Sequence, residues 1–139
     1  MDITAAQALP RPADLTPRQR TLRNSKIDRK IAAIQGKAQD SSLVATRRLL
    51  AIDDRYEKKV TKATGFLNAL REKEERYAAL DPPRPLPPSD RERVIELEGL
   101  LNDGFATMKA LEVAAVEKAL AAAKLYYTQQ IAFQENSKV

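Results

Sequence analysis

The side chains of this chain that could do chemistry are two acidic pairs, Asp53-Asp54 and Glu74-Glu75. Adjacent carboxylates can bind a hard divalent cation or share a proton as general acid and base. The chain has no His and no Cys, so the commonest general base, the commonest metal ligand and the thiolate nucleophile are all missing. No spaced acidic residue completes either pair. We therefore predict no catalytic residue, no metal site, no cofactor and no small-molecule substrate, and we expect that the protein is not an enzyme.

Basic side chains are the second chemical feature, and they are unevenly distributed. Residues 1–62 hold fourteen Lys or Arg against seven Asp or Glu, whereas residues 63–139 hold ten against twelve. Such an excess pairs with an acidic second half or attracts nucleic acid, anionic membrane or an acidic protein face. The candidate polyanion-binding residues are Arg18, Arg20, Arg23, Arg29 and Lys30. They alternate with acidic residues and lack interleaved aromatic rings, which favours a structural role over nucleic-acid binding.

These side chains must be carried by helices, and the segment 81–89 divides the helices into two groups. Residues 80–89 contain five of the eight prolines. Proline ends helices because it lacks a backbone N–H and clashes with the preceding turn. We predict a proline-rich turn at 81–89, and the alternative is a PxxP ligand in polyproline conformation.

Ahead of the turn, the pattern predicts an N-terminal arm at 1–15, a basic helix at 16–38 and a long helix at 43–80. Thr16 and Gln19 form a capping box around Pro17, which suits the first helical position. Gly36 and the polar run after it favour a bend or break near 36–42, although one glycine costs only about 1 kcal/mol and a continuous helix is the alternative. The first stripe of apolar residues consists of Ile27, Ile31, Ile34 and Ala38.

The helix at 43–80 follows a heptad pattern. Leu49, Tyr56, Ala63, Leu70 and Tyr77 take the d positions, and Val60 and Leu67 take a positions. Thr46, Asp53 and Glu74 occupy the other a positions. Carboxylates on an apolar seam meet basic partners, face a groove or mark a drift of the seam.

The last helix is predicted at 90–135, after a second capping box formed by Ser89 and Glu92. Its seam is expected to contain Val94, Leu97, Leu101, Gly104, Met108, Leu111, Ala115, Lys118, Ala122 and Leu125. Further apolar residues widen this face beyond what one helix partner needs, so we predict that it binds another subunit or protein. These partner-binding residues are Leu100, Phe105, Leu120, Tyr127 and Ile131.

The fold expected from these elements is an all-α, elongated antiparallel helical hairpin, coiled-coil-like, with a shorter N-terminal helix. Leu70 should lie near Leu100 or Leu101, and Val60 near Leu111. In shape alone, such a hairpin resembles the stalk and chaperone components of bacterial export machines and the helical components of phage particles, without a diagnostic motif.

The expected function is a non-enzymatic scaffold or assembly protein that works through helix–helix contacts with a protein partner or in a homo-oligomer. It would be a subunit of a larger complex or a small component of an export machine or virion. The alternative is an accessory polyanion-binding protein that uses the basic N-terminal half. No run of about 18 apolar residues predicts a membrane span, and we expect the protein in the cytoplasm or in a particle assembled there.

Overall fold

A computed structural model describes residues 14–139 of the chain, and this part is a helical hairpin without strands. Helix α1 comprises Pro17–Ala78, and α2 comprises Pro88–Gly99. A π-helical turn follows at Leu100–Gly104, and α3 comprises Phe105–Asn136. We refer to α2, the π-helical turn and α3 together as the second arm. The predicted all-α hairpin is confirmed. The predicted arm at 1–15 lies outside the described residues except for its last two.

The predicted start of α1 is confirmed by a reciprocal cap. The Gln19 backbone N–H donates to the Thr16 hydroxyl at 3.2 Å, and the Thr16 N–H donates to the Gln19 side-chain oxygen at 2.9 Å. These two bonds satisfy backbone donors that a helix N-terminus leaves without partners. Pro17 takes the first helical position, where its missing N–H costs nothing.

α1 runs without interruption through residues 36–42, so the expected break is absent and there is no separate N-terminal helix. Gly36 is exposed in this stretch, with open space where a Cβ would lie. A single helical glycine costs about 1 kcal/mol, and the buried stripe continues in phase on both sides. Continued burial offsets this cost because most helical stability in proteins comes from packing.

The buried residues of α1 recur every 18 residues instead of following heptads. Eighteen residues are five turns at 3.6 residues per turn. The stripe that begins at Ile27 therefore recurs at Ala45 and Ala63. The offsets of four and seven residues hold in all three repeats, and the offset of eleven holds in the first two, at Ala38 and Tyr56. Ile52, Tyr56 and Leu67 are buried on this pattern. The buried members are Ile27, Ile31, Ala45, Ile52, Tyr56, Ala63 and Leu67.

The heptad register predicted for 43–80 is therefore wrong at most of its a positions. Thr46, Asp53 and Glu74 are exposed, and Val60 is 40% exposed. A helix with 3.6 residues per turn drifts by about 20° per heptad relative to a strict seven-residue repeat. The predicted d positions stay on the buried stripe, whereas at four of the five a positions the packed residue is the one before, namely Ala45, Ile52, Lys59 and Lys73.

The proline-rich segment joins α1 to α2. The Tyr77 carbonyl accepts bonds from the Leu80 N–H at 3.3 Å and the Arg84 N–H at 3.0 Å. Leu86 is buried within this segment. α2 begins at Pro88 with Pro87 at the N-cap position and no side-chain cap, so the predicted capping box of Ser89 and Glu92 is not formed.

The π-helical turn explains why the predicted seam of the second arm fails beyond Gly104. The Phe105 N–H donates to the Leu100 carbonyl, five residues back, so the turn holds one residue more than an α-helical turn. The face directed at α1 then moves by one position. Exposed residues of the predicted seam are Met108, Leu111, Ala115, Lys118, Ala122 and Leu125. Half-buried residues one position later are Lys109, Glu112, Val116 and Ala123.

The chain divides into two compact units, one of which comprises residues up to Val44 together with Ala119–Val139. In this unit, the Asn24 side chain forms two hydrogen bonds with the backbone of Val139. Its amide nitrogen donates to the Val139 oxygen at 2.7 Å, and its amide oxygen accepts from the Val139 N–H at 3.0 Å. Lys138 also forms an ion pair with Asp28 at 2.6 Å. These contacts fasten the end of the second arm to the beginning of α1.

The second unit, Ala45–Lys118, contains the main apolar cluster. Ala63, Leu67 and Leu97 form its buried centre, and Leu97 is only 2% exposed. Leu70 and Leu101, which the sequence predicted to be neighbours, pack against this same cluster together with Val94 and Phe105. Val60 and Leu111, the second predicted pair, are exposed and do not belong to it.

Candidate functional site

Ion pairs flank the apolar cluster and connect α1 with the second arm inside the unit Ala45–Lys118. Asp53 pairs with Lys109 at 2.9 Å, and Arg71 pairs with Glu98 at 3.1 Å. Closer to the proline-rich turn, Lys73 pairs with Asp90 at 2.6 Å. The hydrogen bond from Lys73 to Asp90 raises the pKa of Lys73. Because each pair joins one position of α1 to one of the second arm, the set specifies the register between them.

The acidic pair Asp53-Asp54 does not form a joint carboxylate site. Asp53 is bound to Lys109, whereas Asp54 pairs with Lys58 one turn along α1 at 2.9 Å. Both residues of the other pair, Glu74-Glu75, are exposed. Over residues 14–139, no three acidic side chains are arranged so that they could hold a metal ion.

Glu112 is the most strongly constrained carboxylate of the second arm. It forms an ion pair with Arg55, and its Oε2 atom is buried without a hydrogen bond of ordinary geometry. Interaction with the Tyr56 hydroxyl is the largest cause that lowers the pKa of Glu112, and Arg55 lowers it further. Conversely, Glu112 raises the pKa of Tyr56. This cluster favours a charged Glu112 at neutral pH.

The most distinctive concave surface of this unit is a groove beside the π-helical turn, which we name the π-turn groove. Its volume is about 500 Å³. The apolar lining includes buried Leu97 and half-exposed Phe66, and three cations stand around it without a carboxylate among the lining residues. The residues that line the π-turn groove are Lys59, Lys62, Ala63, Phe66, Arg93, Leu97, Leu100 and Phe105.

Gly104 is the last residue of the π-helical turn beside this groove. A Cβ at position 104 would lie 3.1 Å from Leu100 Cδ2 and 3.4 Å from the Gly99 carbonyl oxygen. The first distance is tighter than ordinary van der Waals contact, so a side chain at 104 would press against Leu100, which lines the groove. π-helical turns recur at functional sites in proteins, and here the turn shapes a concave surface.

The five predicted partner-binding residues are all half-buried. Leu100 and Phe105 line the π-turn groove. Phe105 also packs against the apolar cluster and meets the Tyr56 ring edge-on, with ring centroids 6.4 Å apart. Leu120, Tyr127 and Ile131 lie in the other unit. Tyr127 contacts the exposed ring of Tyr126 edge-on at 5.3 Å.

A second groove lies within the unit that holds the start of α1 and the end of the second arm, and we name it the terminal groove. Its volume is about 430 Å³, and it combines three cations with apolar Leu22, Ile27 and Phe133. Phe133 is 66% exposed. The residues that line the terminal groove are Gln19, Leu22, Arg23, Lys26, Ile27, Lys30, Phe133, Gln134 and Ser137.

Only two of the five candidate polyanion-binding residues meet in the terminal groove. Arg23 and Lys30 line it, and Arg23 also donates a 3.5 Å bond to the Ser137 carbonyl oxygen. Arg18, Arg20 and Arg29 are exposed on α1 outside the lining. The stripe of five therefore divides into two residues of a groove and three residues of an open helix surface.

The sequence pattern did not single out four residues that matter to the π-turn groove and its rim. Lys59 and Lys62 stood out only as part of the basic excess, and Phe66 and Arg93 belonged to no predicted site. An 18-residue repeat of the buried stripe would have predicted that Leu67 is buried. Phe66, the residue before it, would then lie at the edge of the packed face. Neither the apolar spacing nor the capping residues predicted the π-helical turn.

No helix in the described range is long and apolar enough to cross a membrane. A scan against protein-family models, a search of curated proteins and a search of solved structures find no match to this chain.

Proposed function

We propose that the protein is a non-enzymatic scaffold or assembly protein that works through helix–helix contacts, as a subunit of a larger complex or a small export- or virion-type component. The observation that carries this proposal is the exposure of large apolar side chains on the second arm. Ile95 is 71% exposed and Leu111 is 69% exposed, while Leu97 is the deepest side chain of the neighbouring cluster. Large contiguous apolar patches on a protein surface mark contact sites for other proteins, and these exposed side chains support such a site on the second arm.

The π-helical turn supports the same proposal. By moving the inward face one residue along, it turns polar Lys109 and Glu112 toward α1 and leaves Met108 and Leu111 exposed. A fold that only needed a stable core would gain from burying the two apolar residues instead. The exposure of Met108 and Leu111 becomes favourable if these two side chains pack against another helix.

The experiment compares Leu111→Lys with Ala106→Lys, an exposed alanine on the same helix about 140° around the axis from Leu111. Molecular mass is measured over a range of protein concentrations, and proteins bound to the tagged chain in its native host are identified. Leu111→Lys should weaken association by about tenfold or more with unchanged helicity, because it places a charge in a desolvated contact. Ala106→Lys should have little effect. A wild type that is well folded, monomeric and without a bound protein would contradict the proposal.

A second candidate function is accessory polyanion binding, and the terminal groove is the observation that favours it. Arg23, Lys26 and Lys30 stand beside the exposed ring of Phe133. Cations beside an aromatic surface are the combination that binds the backbone and the bases of single strands. The aromatic ring missing from the sequence around the basic residues is thus supplied from α3. The test of this candidate is the salt dependence of oligonucleotide binding.

For either function the expected compartment, the cytoplasm or a particle assembled there, stays a prediction.

A further inference from the structure

Two neighbouring surfaces of the unit Ala45–Lys118 carry opposite charge. The first is the π-turn groove, whose rim holds Lys59, Lys62 and Arg93. The Lys59 ammonium lies 4.9 Å from the Tyr56 ring centre, and the Lys62 ammonium lies 5.8 Å from that of Phe66. Neither lysine forms an ion pair within the described part of the chain. Lys62 is therefore available to a carboxylate from outside the chain, and Lys59, whose charge also lowers the pKa of Glu112, stands on the same rim.

The second surface is a stripe on α2, which we name the acidic stripe. It comprises Glu92, Ile95, Glu96 and Gly99, spaced by three and four residues so that they share one helix face. All four are exposed, and Ile95 is the most exposed large apolar side chain in residues 14–139. At Gly99 an added Cβ would meet nothing within 4 Å, so another backbone has free access.

The acidic stripe begins at the edge of the π-turn groove. Arg93 lines the groove and at the same time pairs with Glu96 at 3.0 Å. Glu92, one turn before Glu96, forms no ion pair among the described residues. The chain thus presents a cationic apolar groove and, directly beside it, an anionic stripe with one protruding isoleucine.

We propose that the π-turn groove is the docking site for the acidic stripe of a second copy of this chain, in a two-fold symmetric dimer. In such an interface each surface contacts its complement on the other copy, so both are satisfied at once. Ile95 of each copy enters the groove of the other, and Glu92 and Glu96 approach Lys59 and Lys62. Gly99 permits the close approach of the two α2 helices.

Charge complementarity selects this occupant. A nucleic acid would match the cations of the groove but would be repelled by the adjacent Glu92 and Glu96, whereas a second copy matches both surfaces. This inference rests on the proposed assembly function and names the partner for one of its contact surfaces. The contact is limited to a groove and one helix stripe, which is typical of small interfaces and reversible association.

The experiment uses two charge-reversed variants of the full chain. One carries Lys59→Glu with Lys62→Glu, and the other carries Glu92→Lys with Glu96→Lys. Sedimentation equilibrium of the wild type should show a monomer–dimer equilibrium. Each variant alone should dimerise at least about tenfold more weakly, because like charges then face each other. An equimolar mixture of the two variants should recover dimerisation, since each groove then meets a stripe of opposite charge.

A control variant, Arg47→Glu with Lys124→Glu, changes the net charge as much as the groove variant does, at exposed positions outside the groove. It should dimerise like the wild type, and helicity should be equal in all variants. A mixture no better than its components would overturn the proposed interface, as would dimerisation that neither variant changes.

The outcomes also separate this inference from the proposed function. Self-association that both variants leave intact overturns this interface and agrees with assembly through another surface. A wild type that is monomeric at all concentrations overturns the dimer, and the Leu111→Lys comparison with bound host proteins then decides the assembly function.

Discussion

The Asp53 carboxylate and the Lys109 ammonium form an ion pair 2.9 Å long that joins α1 to the second arm. Asp53 lies next to buried Ile52 at the edge of the packed stripe. Lys109 faces α1 because the π-helical turn advances the inward face by one residue past Met108. The pair therefore depends both on the 3.6-residue period of α1 and on the extra residue in the second arm.

This pairing predicts which positions can be crosslinked within one chain. The chain has no native cysteine, so an Asp53→Cys, Lys109→Cys variant carries only the introduced thiols. A short bifunctional thiol reagent at low protein concentration should join them within the chain, detected as a faster-migrating band on a denaturing gel.

The matched control is Asp54→Cys with Lys109→Cys. Asp54 points about 100° away from Asp53 around the helix and pairs with Lys58 on α1 itself. Its intramolecular product should form much more slowly. Equal rates for the two variants, or products only between chains, would contradict the hairpin register.

The π-helical turn predicts that alanine has different effects on stability at two helical glycines. Gly65→Ala should raise the free energy of unfolding by up to about 1 kcal/mol, because alanine has the higher helix propensity and open space surrounds this site. Gly104→Ala should lack this gain, since its methyl group would lie 3.1 Å from Leu100 Cδ2. Urea unfolding monitored by circular dichroism measures both. A gain at position 104 as large as that at position 65 would show that the turn does not depend on glycine.

The start of α1, the proline turn and the cluster near that turn followed from local signals, whereas the continuity of α1 through 36–42 and the packed face beyond Gly104 did not. The cap at Thr16 and Gln19 and the cluster around Leu70 and Leu101 depend on short-range chemistry and on strong apolar periodicity. The seam beyond Gly104 was wrong because a single added residue rotates everything after it by about 100°. Whether a glycine-flanked segment adopts a π-helical turn depends on packing against the partner helix, which spacing alone does not reveal.

The partner-binding and polyanion-binding sets were likewise predicted from residue type, each along one predicted helix. In the structure, the role of each of these residues depends on which residues from other parts of the chain pack against it. Phe105 was predicted to bind a partner, and in the structure it packs on the chain's own cluster. Arg23 and Lys30 gain an aromatic neighbour, Phe133, from a segment more than 100 residues away. Contacts of that range follow from the register of the hairpin and are not encoded in local spacing.

The lowered pKa of Glu112 predicts a defined change of stability with pH. Because the folded state holds this pKa below its unfolded value, the carboxylate stabilises the fold above the unfolded pKa. That contribution is lost as the pH falls through the folded pKa. Glu112→Gln should therefore lower the free energy of unfolding at neutral pH and should have a smaller effect in acid, where the wild-type carboxyl is itself protonated.

Glu117→Gln is the matched control for this measurement. Glu117 is an exposed carboxylate on the same helix and forms no ion pair within residues 14–139. Its replacement should change stability little at either pH. Urea titrations at pH 7 and in acid give the four free energies, and an equal effect of Glu112→Gln at both pH values would rule out a role for its charge.

The terminal groove separates the two candidate functions through salt-dependent binding. One variant replaces Arg23, Lys26 and Lys30 with Gln, and its control replaces Arg18, Arg20 and Arg29, which removes the same charge outside the groove. Fluorescence anisotropy with a labelled single-stranded oligonucleotide measures affinity over a range of salt concentrations.

Since we propose an assembly role, we expect wild-type binding weaker than micromolar at about 0.15 M salt, with both variants affected alike. Micromolar or tighter binding at that salt, lost in the groove variant and kept in the control, would establish the groove as a polyanion site and reverse the order of the two functions. On a single strand, each phosphate neutralised by a groove cation adds about 0.7 unit to the salt slope, whereas dispersed charges on an open helix bind without a defined geometry.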